Sequence, residues 1–585
     1  MASTLSKDLL KVLNFSISKT YICDTTPYIM KNIFLLFAVL LFTGIQAQKK
    51  PNAVQITYIK SSNGTVLENQ DPILIYADKN QTIVTSEKIA SKKAAFPYEF
   101  FYLNHSSKHW FQTAQLNENK SISTVDSTSI ANQKFTYGTE TKKILGYVCK
   151  KATTSINSNT IDIWYTNELD LKGAPSALGQ DLGLVLEVTR NGNYSITASK
   201  VQKLKSIPTE IIQIPSAKST TDVLSYRDEL WKSRFTTISI FENETINFSD
   251  KSISNDSIFR FAAGTVIAKK IKVGKIPNGS QVFIDLKEQS NGDAYDRTGS
   301  VFVIPTNSKI SFFDALQNGK AVLPLYENGN GKQYQGVVKT NEYTPVVELM
   351  RFFTPFGVNH FNYLKMKNKD WEEAVFYRQD ISDLASVLND QEVIVGVFIG
   401  NYDQGGHKVS LNLTIHEEES KAKAKKVISL FNTLNVMEMA GQDYATMFNS
   451  DKGLEVKFTL TEDVANAKLR YITTGHGGWG NGDEFVPKKN SIFLDNQETF
   501  SFTPWKTDCG SYRNYNPASG NFENGLSSSD YSRSNWCPGT TTNPLFIDLG
   551  NLNAGEHTIT IKIPQGENEG NSFSSWNVSG VLIGE

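Results

Sequence analysis

Short segments in which apolar and polar residues alternate recur along most of this chain, and they constrain its fold more than any other feature. Leu454–Leu460 alternates strictly, as do residues 409–413 and 559–563. Because successive side chains of a β-strand point to opposite faces, this pattern predicts half-buried antiparallel strands. Residues 281–286 and 393–399 are more continuously apolar, as in central strands of a sandwich. The sequence therefore predicts an all-β fold class built of sandwiches.

The length of the chain predicts several domains. At 585 residues it is too long for one hydrophobic core, and roughly three or four domains are expected. Residues 206–222 contain two prolines and indicate a linker, which we place at residues 211–222. A run of segregated charges at residues 417–426 indicates a second joint. The predicted units are an N-terminal β-domain and two β-sandwiches: residues 48–210, 223–418 and 425–585.

The charge balance argues against one class of partner. The net charge is -1, so the chain offers no electrostatic reason to bind nucleic acid or an anionic membrane. With 39% hydrophobic and 20% charged residues, the composition is that of an ordinary soluble globular protein. We therefore expect no nucleic-acid partner, and we also expect a monomer.

An apolar segment near the N-terminus is typical of a secretory signal peptide. It spans residues 30–47, with a basic start, an apolar run at residues 33–42 and a small residue, Ala47, at its end. The apolar run is too short for a comfortable membrane span. We interpret residues 1–29 as an extension upstream of the true start at Met30. We therefore expect an exported protein, periplasmic or secreted, whose mature chain has no membrane span.

Export changes what the cysteines predict. Of the four cysteines, Cys23 lies before the signal peptide, which leaves Cys149, Cys509 and Cys537. In an oxidising compartment a Cys509–Cys537 disulfide is the natural pairing. Cys149 is then the odd one, and we expect it to be a small buried apolar residue rather than a nucleophile.

The segment from Gly475 to Gly539 has the composition of a functional site. Five of its first eight residues are glycine, yet an indole, Trp479, stands among them and the acids Asp483 and Glu484 follow directly. Glycine adopts backbone conformations that other residues avoid, at an entropic cost that needs a reason. We interpret this segment as a shaped loop that carries an acid and an aromatic face of the size of a sugar ring. Asp483 is favoured as a turn residue.

Four motifs in order give the C-terminal part of the chain a family resemblance. They are Ala294-Tyr295-Asp296-Arg297, then Arg351-Phe352-Phe353-Thr354-Pro355-Phe356, then Gly478-Trp479-Gly480 with Glu484, and finally Arg533 with Trp536-Cys537-Pro538-Gly539 and Cys509 upstream. From about residue 236 to its end, the chain resembles the peptide-N-glycosidase F family. The members of this family are amidases that release N-linked glycans from asparagine.

The resemblance implies both a fold and an activity. The fold is two adjacent eight-stranded, jelly-roll-like antiparallel sandwiches with the active site in the cleft between them. The activity is that of a peptide-N4-(N-acetyl-beta-glucosaminyl)asparagine amidase, which releases the glycan of an N-glycoprotein or glycopeptide and leaves aspartate. No cofactor or metal is implied. The seven histidines are spread along the chain and form no pair suited to a strand-borne metal site.

The resemblance also implies roles for single side chains. Asp296 is the primary catalytic residue and acts on water at the scissile amide, while Glu484 polarises that water or binds the core sugar. Two carboxylates with separated pKa values can divide the acid and base roles. Arg297 or Arg533 orients a carboxylate and donates hydrogen bonds to the glycan.

Two tryptophans are implied to bind sugar. Trp479 and Trp536 would stack on the faces of N-acetylglucosamine rings. Trp536 has an alternative role, because it lies next to Cys537 and could pack on the disulfide instead. The sequence leaves both roles of Trp536 open.

The N-terminal unit carries a second resemblance. Residues 144–152, 164–166 and 183–188 resemble the small β-domain that precedes the catalytic pair in longer, type II family members, and also GLPGLI domains. The central Leu-Pro-Gly of the GLPGLI signature is replaced here by Asp181-Leu182-Gly183. We therefore expect a smaller β-rich domain before the two sandwiches.

One departure from the family pattern motivates a rival hypothesis. Family members have a further acid in the strand that matches residues 393–399, whereas this strand is wholly apolar. Asp403, or Tyr402 beside it, could serve from the following loop. If neither does, the alternative function is that of a non-catalytic N-glycan-binding protein on the same double-sandwich scaffold.

Overall fold

The computed structural model describes residues 50–585, except residues 213–218, 364, 419, 422, 435, 438–445, 478–481, 518–526 and 568–573. The predicted signal peptide and Trp479 lie outside the described residues. The chain divides into two compact units, Met1–Leu230 and Trp231–Glu585. None of the helices in the described ranges is long and apolar enough to cross a membrane.

The N-terminal unit is built on one antiparallel sheet of twelve strands. The strands are β1 (Ala53–Ser62), β2 (Thr65–Val66), β3 (Ile73–Asp78), β4 (Gln81–Ser86), β5 (Tyr98–Asn104), β6 (Trp110–Gln115), β7 (Ser121–Asp126), β8 (Thr136–Ile144), β9 (Tyr147–Ile156), β10 (Asn159–Thr166), β11 (Leu184–Arg190) and β12 (Tyr194–Leu204). Their order is β7-β6-β5-β4-β3-β1-β12-β11-β10-β9-β8, with β2 paired to β1. Val54, Ile56 and Tyr58 of β1 are fully buried, so one face of this central strand forms core.

The helices described in this unit are short. They are α1 (Glu87–Ala90), α2 (Thr209–Ile212) and α3 (Val223–Lys232). Tyr226 and Leu230 of α3 are buried against Ala114, Leu116 and Ile122. Because of this packing, the first compact unit extends to Leu230, beyond the linker predicted at residues 211–222.

Cys149 in β9 is a free, fully buried cysteine. Burial raises the pKa of its thiol to about 11. Because the thiolate is the reactive form of cysteine, this residue has the properties of a small apolar core residue.

The first sandwich contains two antiparallel sheets. Its strands are β13 (Thr236–Ile246), β14 (Phe259–Phe261), β15 (Val266–Val273), β16 (Gln281–Ser290), β17 (Thr298–Ile304), β18 (Leu325–Glu327), β19 (Gln333–Gln335), β20 (Val347–Phe353), β21 (Ala374–Asp380), β22 (Gln391–Ile399) and β23 (His407–His416). Its short helices are α4 (Phe312–Asn318), α5 (Val358–Phe361) and the 3-10 turns Ala262–Gly264, Lys320–Val322 and Ser382–Val387. One sheet has the order β13-β23-β16-β21, and β18 and β19 form a separate hairpin.

The second sandwich is also built of two antiparallel sheets. Its strands are β24 (Lys426–Asn432), β25 (Leu454–Leu460), β26 (Val464–His476), β27 (Asn490–Leu494), β28 (Gln497–Phe502), β29 (Thr541–Thr542), β30 (Leu545–Leu552), β31 (Gly555–Lys562) and β32 (Ser575–Gly584), with 3-10 turns at Cys509–Tyr512 and Ser528–Asp530. The sheet orders are β24-β32-β26-β30 and β25-β31-β27-β28.

These sheets confirm the predicted all-β double-sandwich fold, with one addition. The second sheet of the first sandwich has the order β14-β15-β22-β17-β20-β29. The short strand β29 comes from the C-terminal part of the chain, and its Thr541 and Thr542 pair with Phe352 and Arg351 of β20. The two sandwiches are therefore joined by backbone pairing as well as by side chains.

A buried ion-pair network crosses from the first sandwich to the second. Arg351 and Glu348 on β20 are both fully buried, and Arg351 Nε and Nη2 donate to Glu348 Oε1 and Oε2 at 3.0 and 2.7 Å. Arg351 Nη1 also donates to Thr474 Oγ1 (3.2 Å) and to the carbonyl of Asn577, both in the second sandwich. In return, Arg470 of β26 donates to the carbonyl of Glu348 at 2.8 Å. Because an unpaired buried charge is costly, these contacts hold the two sandwiches in one relative position.

Breaking this network should strongly destabilise the protein. We expect Arg351→Met to lower the free energy of unfolding by about 3–5 kcal/mol, because Glu348 would remain buried without its cation. Chemical denaturation followed by tryptophan fluorescence measures the change. A suitable control is Glu342→Gln, which removes an exposed ion pair with Lys309 and should change stability by less than about 0.5 kcal/mol. Equal effects of the two substitutions would contradict the role given to the network.

Candidate active site

The turn that carries Asp296 is held by the second family-like motif. Asp296 lies in the loop between β16 and β17. The N–H of the next residue, Arg297, donates to Thr354 Oγ1 at 2.8 Å, and the N–H of Thr354 donates back to the carbonyl of Arg297 at 2.9 Å. Thr354 directly follows β20. Two motifs that lie far apart in sequence therefore form one locked turn.

The turn that carries Glu484 is paired with the segment around Arg533. The N–H of Ser534 donates to the carbonyl of Glu484 at 2.9 Å, and the N–H of Gly475 donates to the carbonyl of Ser534 at 3.1 Å. A Cβ atom on Gly475 would lie 2.7 Å from the carbonyl oxygen of Asp483 and 2.8 Å from Cβ of Ser534. This close approach of the two chain segments is a physical reason for glycine at position 475.

Arg533 joins the two acids that the sequence predicts to be catalytic. Its Nη1 forms an ion pair with Asp296 Oδ2 at 3.1 Å and donates a hydrogen bond to Glu484 Oε1. Its Nη2 donates to the carbonyl of Ser528 at 2.7 Å, which fixes the guanidinium from the other side. Asp296 comes from the first sandwich and Glu484 from the second, and both carboxyls contact the same nitrogen, Nη1 of Arg533. Only the folded chain creates this pair.

Arg533 is buried more completely than the two acids that it contacts. The Arg533 side chain is 1% exposed, whereas Asp296 and Glu484 keep 15% and 18% of their side-chain surface accessible. The cation is therefore buried, while both carboxylates retain access to solvent. This is the arrangement expected where a small part of a substrate meets two acids.

Burial raises the pKa values of both acids, and repulsion from Asp296 adds to the rise at Glu484. Burial raises the pKa of Asp296, an effect that Arg533 and Arg297 oppose. Burial also raises the pKa of Glu484, to about 7, with Arg533 lowering it and Asp296 raising it further. Arg297 adds its attraction to Asp296 and not to Glu484. This additional cation favours Asp296 over Glu484 as the acid that ionises first.

Trp536 supports Arg533 and does not offer a face for a sugar. Its ring is 4% exposed and stacks on Phe353 with ring centroids 4.3 Å apart. The Arg533 guanidinium lies 4.3 Å from the ring centroid, and the indole N–H donates to the carbonyl of Gly475 at 2.9 Å. The sugar-stacking role expected for Trp536 is thus corrected, because these protein contacts occupy its ring. The same role of Trp479, outside the described residues, stays a prediction.

Cys509 and Cys537, the pair that the sequence favours, form a disulfide. Within the loop that this bridge closes, Asn516 donates to the carbonyl of Pro538 at 3.0 Å and accepts from the N–H of Phe356 at 3.1 Å. The bridge and Asn516 together anchor the Arg533 segment to the strand end that carries the second motif.

Arg297 binds Asp293, a carboxylate of its own turn. Its Nε and Nη2 donate to Asp293 Oδ2 and Oδ1 at 2.6 and 3.0 Å. The guanidinium lies 5.4 Å from the ring centroid of Tyr295 and 5.9 Å from that of Tyr402. Of the two arginines expected to orient a carboxylate, Arg533 contacts Asp296 and Glu484, and Arg297 pairs with Asp293. Sequence reasoning missed Asp293 as a partner, although it lies within the same turn.

Asp483 and Asp403 both accept hydrogen bonds from neighbouring parts of the chain. Asp483 is fully buried and accepts from the indole N–H of Trp576 at 2.7 Å, which agrees with its predicted role in a turn. Asp403 Oδ1 accepts from the N–H groups of Gly405 and Gly406 at 2.7 and 2.8 Å. Asp403 therefore holds the shape of the loop before β23.

Comparison with protein families covers most of the chain. Residues 56–228 match the model described as N-glycanase peptide, N-terminal domain, and residues 237–415 match Peptide-N-glycosidase F, N terminal. Residues 443–583 match Peptide-N-glycosidase F, C terminal. The chain belongs to the peptide-N-glycosidase F family. Its N-terminal unit matches the extra domain of the family, whereas the likeness to GLPGLI domains stays a prediction.

Solved structures of the family agree with this assignment. PNGF-II is 56% identical in two crystal forms, with TM-scores of 0.85 and 0.83; 91% of this chain is covered, and 99% and 98% of the PNGF-II chains. A structure of PNGase F, described as a glycosylasparaginase from Flavobacterium meningosepticum, is 16% identical with a TM-score of 0.41 and covers 60% of this chain and 96% of its own. A comparison with curated proteins gives no match.

The buried acid pair predicts an unusual dependence of stability on pH. Because the folded-state pKa of Glu484 is raised to about 7 from 4.5, the folded state binds more protons than the unfolded state between these values. Stability should therefore fall as the pH rises through this window. Glu484→Gln keeps an acceptor for Arg533. We expect its free energy of unfolding at about pH 8 to exceed that of wild type by on the order of 1–2 kcal/mol.

Thermal unfolding at a series of pH values tests this prediction. The advantage of Glu484→Gln should shrink as the pH falls from about 7 to 4.5, and it should be lost below 4.5, where the wild-type carboxyl is protonated in both states. A variant that is less stable than wild type at every pH would show that Glu484 is ionised and stabilising in the folded protein.

Proposed function

We propose that this protein is an exported amidase that hydrolyses the bond between an N-linked glycan and its asparagine. The observation that carries the proposal is the buried arginine, Arg533, which holds Asp296 and Glu484 together from two different sandwiches. Family membership supports an N-glycoprotein or glycopeptide as the substrate. The products would be a glycosylamine and a peptide in which aspartate replaces asparagine.

The two acids can divide the proton transfers between them. Ionised Asp296 takes a proton from water as the water oxygen forms a bond to the carbonyl carbon of the substrate amide. The tetrahedral intermediate then collapses with cleavage of the carbon–nitrogen bond, and the leaving nitrogen takes the proton held by Glu484. The additional cation beside Asp296, Arg297, favours Asp296 as the acid that ionises first, which suits these roles. Arg533 keeps the two carboxyls in place throughout and offsets the charge that they carry.

The absence of the family's further acid from residues 393–399 motivates a second candidate function, that of a non-catalytic N-glycan-binding protein. Residues 393–399 of β22 are all buried and apolar, so this part of the strand presents no acid to the site. A glycan-binding protein without catalysis would need the cleft but not the proton transfers. The experiment below separates the two functions.

Incubation with a denatured N-glycoprotein tests the amidase. We expect wild type to release the intact glycan and to leave aspartate at the glycosylation site, as seen by mass spectrometry of the peptide. Asp296→Asn should lower kcat by roughly 10²- to 10⁴-fold, because it removes the base that activates water. Asp256→Asn, a control that neutralises an exposed acid of the same sandwich, should keep the wild-type rate.

The outcomes separate the two functions. If wild type releases no glycan at any pH but binds the glycopeptide, the glycan-binding function is correct. If Asp296→Asn retains the wild-type rate, Asp296 is not the catalytic base.

We also propose that the protein is exported by the signal peptide at residues 30–47. The Cys509–Cys537 disulfide supports this, because disulfides persist in oxidising compartments. Sequencing the N-terminus of the mature protein should give Gln48 as its first residue. A mature chain that begins before residue 30 would contradict the proposed start and leader.

A further inference from the structure

A chain of four buried or half-buried charged groups lies behind the turn that carries Asp296. Glu288 on β16 contacts His407 Nδ1 through its Oε1 at 2.8 Å, and His407 Nε2 lies 3.3 Å from Asp293 Oδ2. Asp293 in turn accepts from Nε and Nη2 of Arg297. Glu288 and His407 are fully buried and Asp293 is 2% exposed. This Glu288–His407–Asp293–Arg297 network is separate from the contacts of Arg533.

Asp293 holds the residues on both sides of Asp296. Its Oδ1 accepts from the backbone N–H of Tyr295 at 3.2 Å and from Arg297 Nη2 at 3.0 Å. Its Oδ2 accepts from Arg297 Nε at 2.6 Å. Because Asp296 lies between these two residues, the direction of its carboxyl depends on where Asp293 places them.

Asp293 is itself fixed by the first residues of β23. The carbonyl of Gly406 accepts from the N–H groups of Asn291 and Asp293 at 2.8 and 3.3 Å, and His407 follows directly. On the other side, the N–H of Gly357 donates to the carbonyl of Ala294 at 3.0 Å. The loop is therefore anchored at its backbone by neighbouring segments and at its centre by one carboxylate.

The geometry requires His407 to be doubly protonated. Each ring nitrogen faces a carboxylate oxygen, and only the imidazolium can donate from both nitrogens. Burial lowers the pKa of His407, but hydrogen bonds to Asp293 and Glu288 outweigh it and raise the pKa to about 9. Burial raises the pKa of Asp293, yet His407 and Arg297 hold it well below its usual range. The charges facing the ring are thus Glu288 and Asp293, since its strand neighbours, Ile246 and Ser290, are neutral.

We propose that Asp293 is the positioning residue of the catalytic turn and that the His407 imidazolium, clamped by Glu288, holds Asp293 in place. The proposal rests on the proposed amidase function for its kinetic consequence, and it deepens that function by naming what aims Asp296. Asp293 does not touch the reacting atoms. It acts through Tyr295 and Arg297, and displacement of a reacting group by about 1 Å is enough to lower a rate by roughly 100-fold.

Kinetics of three variants tests the proposal. Asp293→Asn and His407→Gln should each lower kcat by about 10- to 100-fold while KM changes much less, because the turn and not the substrate contacts is disturbed. The double variant should be no worse than Asp293→Asn alone, since both residues act through one network. The control is Asp285→Asn, because Asp285 lies on the same strand as Glu288. This variant removes a carboxylate paired with Arg378 and Thr414 and should leave kcat unchanged.

The pH profile gives a readout that loss of stability alone would not move. Wild-type kcat should fall as the pH rises through about 7, where Glu484 loses the proton that it donates, and should fall further through about 9, where His407 loses a proton and one of its two donors. His407→Gln should lack the second fall. An unchanged second fall in His407→Gln, or strictly additive effects in the double variant, would overturn the proposal.

A measurement without catalysis separates this proposal from the proposed function. In a crystal structure of Asp293→Asn, the Asp296 carboxyl should have left its place 3.1 Å from Arg533 Nη1. If Asp296 stays there, the positioning role is wrong whether or not the protein releases glycans. If Asp293→Asn does not fold, the structure of His407→Gln decides the same question. If wild type is inactive but Asp296 moves in either variant, the amidase proposal fails and the positioning role stands.

Discussion

The buried ion pair between Arg351 and Glu348 is the interaction on which the rest of this structure depends. It lies on a strand of the first sandwich, and it reaches the second sandwich through Thr474, Asn577 and the backbone contacts of Arg470. A buried ion pair contributes little net stability compared with an apolar core, but it tolerates few alternative geometries. Its value here is that it sets the register between two sandwiches whose edges supply one acid each.

The candidate site places two carboxyls close together in partly buried surroundings, which is electrostatically unfavourable when both are ionised. Two carboxyls share one buried guanidinium, so the cluster carries an excess negative charge whenever both acids are ionised. The protein holds them together through a disulfide, a buried tryptophan beneath Arg533 and backbone pairing of the two turns. Burial raises the pKa values of both acids, and Arg297 opposes this only at Asp296, so the two acids differ in how readily they ionise. The folded scaffold supplies the free energy that keeps this pair in place.

Much of the fold follows from local pattern, and the site follows only in part. Strict alternation in Leu454–Leu460 predicts one buried face, and β25 has that burial pattern. The four motifs pointed to Asp296, Glu484 and Arg533, which the structure brings together. Trp536 was harder to interpret, because a tryptophan beside a disulfide can either stack on a ligand or pack inward, and only the position of Phe353 decides. His407 showed no signal, since its partners Glu288 and Asp293 are more than a hundred residues away.

The sequence by itself determined the strands, the cysteine pair and the residue types of the candidate site. These features depend on neighbours along the chain or on motifs a few residues long. Only the tertiary structure decided which arginine contacts both acids and which acid has a second cation nearby. It also decided that Asp293 accepts hydrogen bonds from the residues on both sides of Asp296. Those outcomes depend on distances between segments separated by one to two hundred residues, because electrostatic interactions act through space and burial is set by the whole fold.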